Sequence, residues 1–151
     1  MKMARNKRTL VWVGMVLLIL YGGYLFLNWL FNDHAFDYGN FAYYLLVDEE
    51  VRQFPILGAK RDATFYDVTI QDGNKPGMII VTYNSPQRPT VLLANYRTTC
   101  SQLGYQFNPD ESRDDRVNFN GKRNFVEVEI VAKPRQQGSE VRLVFIRDLV
   151  N

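Results

Sequence analysis

The chain has 151 residues, 46% of them hydrophobic, one cysteine and a formal net charge of +2. One cysteine excludes an intramolecular disulfide. All 16 acidic residues but only 14 of the 18 basic ones follow the first 31 positions, so that part is acidic on balance, and this excludes the basic face or stripe of a nucleic-acid-binding domain.

Residues 1–9 carry Lys2, Arg5, Lys7 and Arg8 with no acidic residue and form a short basic tail. Leu10–Phe31, LVWVGMVLLILYGGYLFLNWLF, then runs 22 positions without a charge. A helix that crosses a bilayer needs about 20 apolar residues, so this run is a candidate transmembrane anchor. Basic residues stay on the cytoplasmic side, which predicts a cytoplasmic N-terminus and an exterior C-terminal part. A cleaved signal peptide has an apolar core of about 7–15 residues and a small-x-small cleavage site. The run here is longer, and a cut after Ala35 would put Asp33 at position −3, so an uncleaved anchor is expected. Trp12, Trp29 and Phe31 fall near the ends of the span, at headgroup level.

Gly14, Leu18, Tyr21, Leu25 and Asn28 are spaced 4, 3, 4 and 3, which puts them on one face of the helix. That face is small or polar at Gly14, Tyr21 and Asn28, as contacts between helices in lipid tend to be. It predicts a membrane-protein partner or a second copy. The lone cysteine and the absence of an N-x-Ser/Thr sequon among 12 asparagines fit a bacterial inner-membrane protein with a periplasmic domain.

Residues 32–58 read as a neck, helical over Asp37–Phe54, where Phe41, Tyr44, Leu45, Asp48 and Val51 recur at near-helical spacing. Its FAYYLL stretch suits either a domain core or a membrane interface. Pro55 and Gly58 end it. Residues 59–151 form the exterior domain.

Thr64–Gln71 alternates Tyr66, Val68 and Ile70 with polar residues and predicts a half-buried strand. Asp72–Gly77 is turn chemistry, and Met78–Tyr83 returns as the second arm of a hairpin. Thr90–Leu103 predicts the main helix, entered through Pro89 and stopped at Gly104. Cys100 falls on its apolar side as a small buried hydrophobe. A short extended segment at Tyr105–Phe107 precedes a polar excursion, Asn108–Arg116. Val117–Phe119 and a type I′ turn at Asn120-Gly121 lead to the strand Asn124–Ala132. In that strand Phe125, Glu127 and Glu129 face one way and Val126, Val128 and Ile130 the other. After a loop at Lys133–Ser139, Glu140–Arg147 is the last strand, with Arg142 placed to pair with Glu127 or Glu129. The order predicts an α+β two-layer sandwich, one main helix on an antiparallel sheet of four or five strands.

Catalytic patterns are sparse. His34 is the only histidine, and Asp33, His34 and Asp37 are too few and too irregular for a metal site. Asp110, Ser112 and Asp114 mimic the start of a calcium loop, but Asp115 stands where its glycine belongs and Gly121 where its bidentate glutamate belongs. No nucleophile elbow or phosphate-binding glycine loop occurs. The expectation is a non-enzymatic subunit of an envelope complex without a cofactor, partnered by the lipid bilayer and a membrane protein. The alternative is a tethered domain that binds a peptide, lipid or glycan in an aromatic groove lined by Tyr66, Tyr83, Tyr96, Tyr105 and Phe107.

Overall fold

The computed structural model describes residues 2–30, 32, 34–71, 76–122 and 125–147. Phe31, Asp33, the expected turn residues Asp72–Lys75, Arg123 and Asn124 lie outside the described residues. The chain divides into two units, Met1–Asn32 and Asp33–Asn151.

The first unit is one helix, α1 (Lys2–Leu30). Its stretch Val11–Trp29 is long and apolar enough to cross a membrane, and none of that stretch is buried. A helix satisfies its own backbone groups, which is what an apolar medium demands.

The second unit is an antiparallel sheet of seven strands with helices on one face, so the α+β class is as expected and the strand count is not. The strands are β1 (His34–Asp37), β2 (Phe65–Thr69), β3 (Met78–Ser85), β4 (Gln106–Arg113), β5 (Arg116–Asn120), β6 (Phe125–Arg135) and β7 (Gly138–Arg147), in the order β1-β2-β3-β7-β6-β5-β4. Every neighbouring pair is antiparallel. The helices are α2 (Phe41–Leu46), α3 (Glu49–Gln53) and α4 (Pro89–Gln102).

The predicted neck belongs to this unit. It supplies the edge strand β1 and two short helices in place of one longer helix. Val47 and Asp48 are extended between them. Phe36, Tyr43, Val47, Val51 and Phe54 are all buried, so the core begins well before residue 59. Four residues are too few for β1 to show a period in the sequence.

Two more differences enlarge the sheet. Much of the polar excursion is strand: β4 runs on to Arg113, and the turn is Asp114-Asp115. As an edge strand it has no apolar partner on its outer side, and polar residues guard such edges. The ladder slips between Asn108 and Arg113. There the Ser112 hydroxyl donates to Asn108 O (2.7 Å) and accepts from Asn118 N–H (3.0 Å), replacing the lost ladder bond. The expected loop Lys133–Ser139 shrinks to a two-residue turn, Gln136-Gln137, because β6 and β7 stay paired as far as Arg135 and Gly138.

The Asn120-Gly121 turn is also longer than expected. Gly121 is not in the left-handed region; its N–H donates to Val126 O (2.8 Å), and Phe125 N–H donates to Lys122 O (3.0 Å). The ladder shifts at Val126, since Phe125 opposes Arg147 and Glu127 opposes Ile146. This bulge turns Phe125 into the core and leaves Val126 exposed, the reverse of strict alternation. The register also sets Val131 opposite Arg142. Glu129 therefore pairs with Arg116 (2.6 Å), not with Arg142 as expected.

Helix α4 is one residue from its predicted span. Gly104 (φ 80°) ends it: Gly104 N–H donates to Ser101 O and Tyr105 N–H to Cys100 O, both at 2.9 Å. These two bonds are the Schellman pattern. Its Leu92, Leu93, Tyr96 and Cys100 face the core. Opposite them lie Val81 and Tyr83 of β3, Val128 and Ile130 of β6, and Val141, Leu143 and Phe145 of β7, all buried.

Gly138 sits at φ 99°, and a Cβ there would lie 2.0 Å from Ser85 O. Backbone cannot swing aside as a flexible side chain does. Gly138→Ala is expected to destabilise the domain by about 2 kcal/mol or more, through the strained φ and the clash together. A shift of the denaturant midpoint of less than about 0.5 kcal/mol equivalent would contradict this account.

Candidate functional site

The five residues of the predicted helix face lie on one unbroken helix. At 3.6 residues per turn, Gly14, Leu18, Tyr21, Leu25 and Asn28 fall within an arc of about 80°. Leu18, Tyr21 and Leu25 are exposed. Gly14 carries no side chain, so this face is indented at that position, as close approach of another helix requires. Near its end Asn32 Nδ2 donates to Asn28 O (2.6 Å), which satisfies one terminal carbonyl.

The five aromatic groove candidates do not come together around an opening. Tyr66 is fully buried, stacked on Phe36 with ring centroids 6.1 Å apart and met edge-on by Tyr43 at 5.0 Å. Tyr83 and Tyr96 are buried and joined hydroxyl to hydroxyl. Tyr96 Oη donates to Pro55 O (3.0 Å) and accepts from Leu57 N–H (3.1 Å). Its one proton is thus committed to Pro55, so Tyr83 is the donor in the tyrosine pair. Tyr105 donates to Glu50 Oε1 (2.8 Å), packs edge-on against Phe54 and lies under Lys122 Nζ at 4.5 Å. It borders a small cleft of about 190 Å³ with Glu50, Phe54 and Lys122. Phe107 is half-buried beneath Arg97, whose Cζ is 3.9 Å from the ring centroid, and packs edge-on against Phe119. Tyr66, Tyr83 and Phe107 project from the helix-covered face of the sheet and Tyr96 from the helix itself, so the packed layers fill the space a ligand would need; Tyr105, in the connection between α4 and β4, is held by Glu50 and Phe54 at the cleft's edge.

A wider opening than this cleft is on the uncovered face of the sheet. It is a groove of about 410 Å³ with Met78, Val131, Val144 and Ile146 in its floor and Arg116 and Arg142 among its charged residues. Glu129 beside Arg116 raises the pKa of that guanidinium further, so it stays charged. Sequence reasoning overlooked this face. Its signal was the set of residues alternating with the core positions of β3, β6 and β7, where apolar and charged side chains mix.

Cys100 is fully buried, and burial pushes its thiol up to about 12. At neutral pH it is therefore a small apolar side chain and a poor nucleophile. Ser112, one of the calcium-like positions, spends its hydroxyl on the β4–β5 irregularity. Among the described residues no group of three or more His, Cys, Asp or Glu could hold a metal ion. Asp33 of the proposed cluster with His34 and Asp37 lies outside them.

Searches of protein-family models, of curated proteins and of solved structures find no match to this chain.

The tyrosine pair generates two predictions. Tyr96→Phe strands Pro55 O, Leu57 N–H and the Tyr83 hydroxyl at once, and is expected to cost about 2–3 kcal/mol. Tyr83→Phe leaves Tyr96 with two partners and should cost about 1 kcal/mol. Equal costs in denaturant unfolding would argue against Tyr96 as the hydroxyl on which the three partners converge. Burial also raises Tyr83 from 10.0 to about 12, and Tyr96 and Cys100 upward as well. Groups raised on folding hold the native state below their unfolded pKa and lose that contribution as pH rises through the folded value. Stability is therefore expected to decline from about pH 9 to pH 12, with a shallower decline in Tyr83→Phe, as read by unfolding at stepped pH.

Proposed function

We propose that this chain is a non-enzymatic, single-pass membrane protein whose exterior domain serves as an interaction or scaffolding subunit of a bacterial envelope complex. In this reading the N-terminus is cytoplasmic, the domain is periplasmic and the membrane is the inner one. The observation that carries it is the contrast between the two units. Tyr66, Tyr83 and Tyr96 are spent on the domain's own core, while α1 presents a small and polar face, Gly14–Tyr21–Asn28, indented at the glycine. Lys2, Arg5, Lys7 and Arg8 before the span support the orientation. The partner is a membrane protein or a second copy of the chain.

A second reading, a tethered domain that binds a peptide, lipid or glycan, now draws on the groove of the uncovered sheet face and not on the five aromatic residues.

The two readings separate in co-purification from membranes in mild detergent with crosslinking. Gly14→Leu or Tyr21→Leu is expected to lower recovery of the partner about three- to thirtyfold, the range that interhelical packing and polar contacts of about 0.6–2 kcal/mol imply. Val16→Leu, on the opposite side of the helix, should leave recovery unchanged. Full recovery with an unrelated single-span helix in place of Leu10–Phe31 would end the helix-mediated reading and move the interaction into the exterior domain.

A further inference from the structure

Helix α2 is apolar on both sides. Its inner side is in the core: Ala42 and Tyr43 are buried, and Tyr43 packs on Tyr66 and on Tyr38. Its outer side carries Phe41 at 70%, Tyr44 at 60% and Leu45 at 47% exposure, at positions i, i+3 and i+4. Tyr38, in the preceding turn, adds a third ring at 37%. No residue of FAYYLL is charged. An outer helix face in contact with water alone is ordinarily polar. The backbone holds this face in place. Asn40 Oδ1 accepts from Ala42 N–H (3.1 Å) to cap the helix, and Tyr38 N–H donates to Thr64 O (3.2 Å) to tie the turn to the start of β2.

We propose that the outer face of α2, with Tyr38, Phe41, Tyr44 and Leu45, rests in the headgroup–acyl boundary of the bilayer that α1 crosses. The inference rests on the membrane-anchor reading and adds a second, peripheral contact to it. Two arguments select lipid over protein. The first is reach. Phe41 is twelve positions beyond Trp29, at the end of the span, so even a fully extended chain keeps the patch within about 40 Å of the bilayer. A tethered contact forms at high effective concentration and needs little intrinsic affinity. The second is size and chemistry. Four side chains fall far short of the roughly 20–30 residues a side of a stable protein interface. Tyrosine, phenylalanine and leucine without charge are the residues that settle at the membrane boundary. The contact would set the orientation of the sheet, and of the groove on its uncovered face, relative to the membrane.

The test uses the full chain in phosphatidylcholine–phosphatidylglycerol vesicles, with and without chain-brominated phosphatidylcholine as a quencher. Trp12 and Trp29 are the two tryptophans of the chain and both lie in α1, so their quenching reports the anchor directly. An environment-sensitive fluorophore on Leu45→Cys reports the patch, and the same fluorophore on Gln137→Cys, in the exposed β6–β7 turn, is the reference. Cys100 is buried and does not compete for the label. The expected result is tryptophan quenching together with a blue shift and quenching at position 45, and neither change at position 137. Phe41→Asp with Tyr44→Asp should abolish the signal at position 45 and leave the tryptophan quenching intact, with Cys100 still unreactive as the check on folding. Quenched tryptophans with an unquenched label at position 45 overturn the inference and leave the anchor standing. A blue-shifted label that lipid bromine does not quench points to protein over the patch and overturns it too. Unquenched tryptophans overturn both the anchor and the inference.

Discussion

Three parts of the unit Asp33–Asn151 meet at one hydroxyl. Tyr96 of α4 donates to Pro55 O and accepts from Leu57 N–H and from Tyr83 of β3. A tyrosine hydroxyl has one proton and two lone pairs, so its capacity is fully used. It is also deeply buried, where an unmet partner carries its whole desolvation penalty. The rest of the helix layer follows from this junction. The 55–57 segment is held against α4, which sets where α3 ends and lets Phe54 stack on Tyr96 and meet Phe145 edge-on. Asp48, between α2 and α3, is paired with Arg147 at the end of β7 (2.7 Å), so the same layer is pinned a second time.

That layer covers only one face of the sheet. The covered face takes the most deeply buried apolar residues of β2, β3 and β7: Tyr66 and Val68, Ile79 and Val81, Leu143 and Phe145; Ile80 and Val144, which lie between them, are buried as well. The other face mixes Met78, Val144 and Ile146 with Arg116, Glu129 and Arg142. The candidate functional surfaces are accordingly peripheral to the core. They are the groove of the uncovered face, the outer side of α2 and the small-polar side of α1, and each leaves apolar or indented surface unfilled.

The site residues proposed from the sequence fared differently for a reason. A helix has one geometry, so Gly14, Tyr21 and Asn28 share a side whatever the surroundings. A groove is a property of two layers and the gap between them. Tyr66, Tyr83 and Tyr96 were legible as aromatic residues on the inward face, but a tyrosine fits a core as well as a cleft: Tyr83 and Tyr96 find hydroxyl partners there, and the Tyr66 hydroxyl is buried without one among the described residues. The partners, Pro55 O and Leu57 N–H, are some 40 residues from Tyr96 along the chain. Nothing local announces them.

By itself the sequence determined the membrane-length helix, since an uncharged run of that length depends on no distant residue. It also determined α4 with its proline entry and glycine stop, the hairpin β2–β3, and the inward residues of β7. All are written in short-range periods and turn chemistry. The tertiary structure alone decided that residues 34–54 belong to the core, that polar Asn108–Arg113 forms an edge strand, and that a bulge at Val126 swaps the faces of Phe125 and Val126. It alone decided that the aromatics close the interior. In each case the deciding partner is a neighbouring strand or a layer far away in sequence, and pairing energy across that distance leaves no period in the chain.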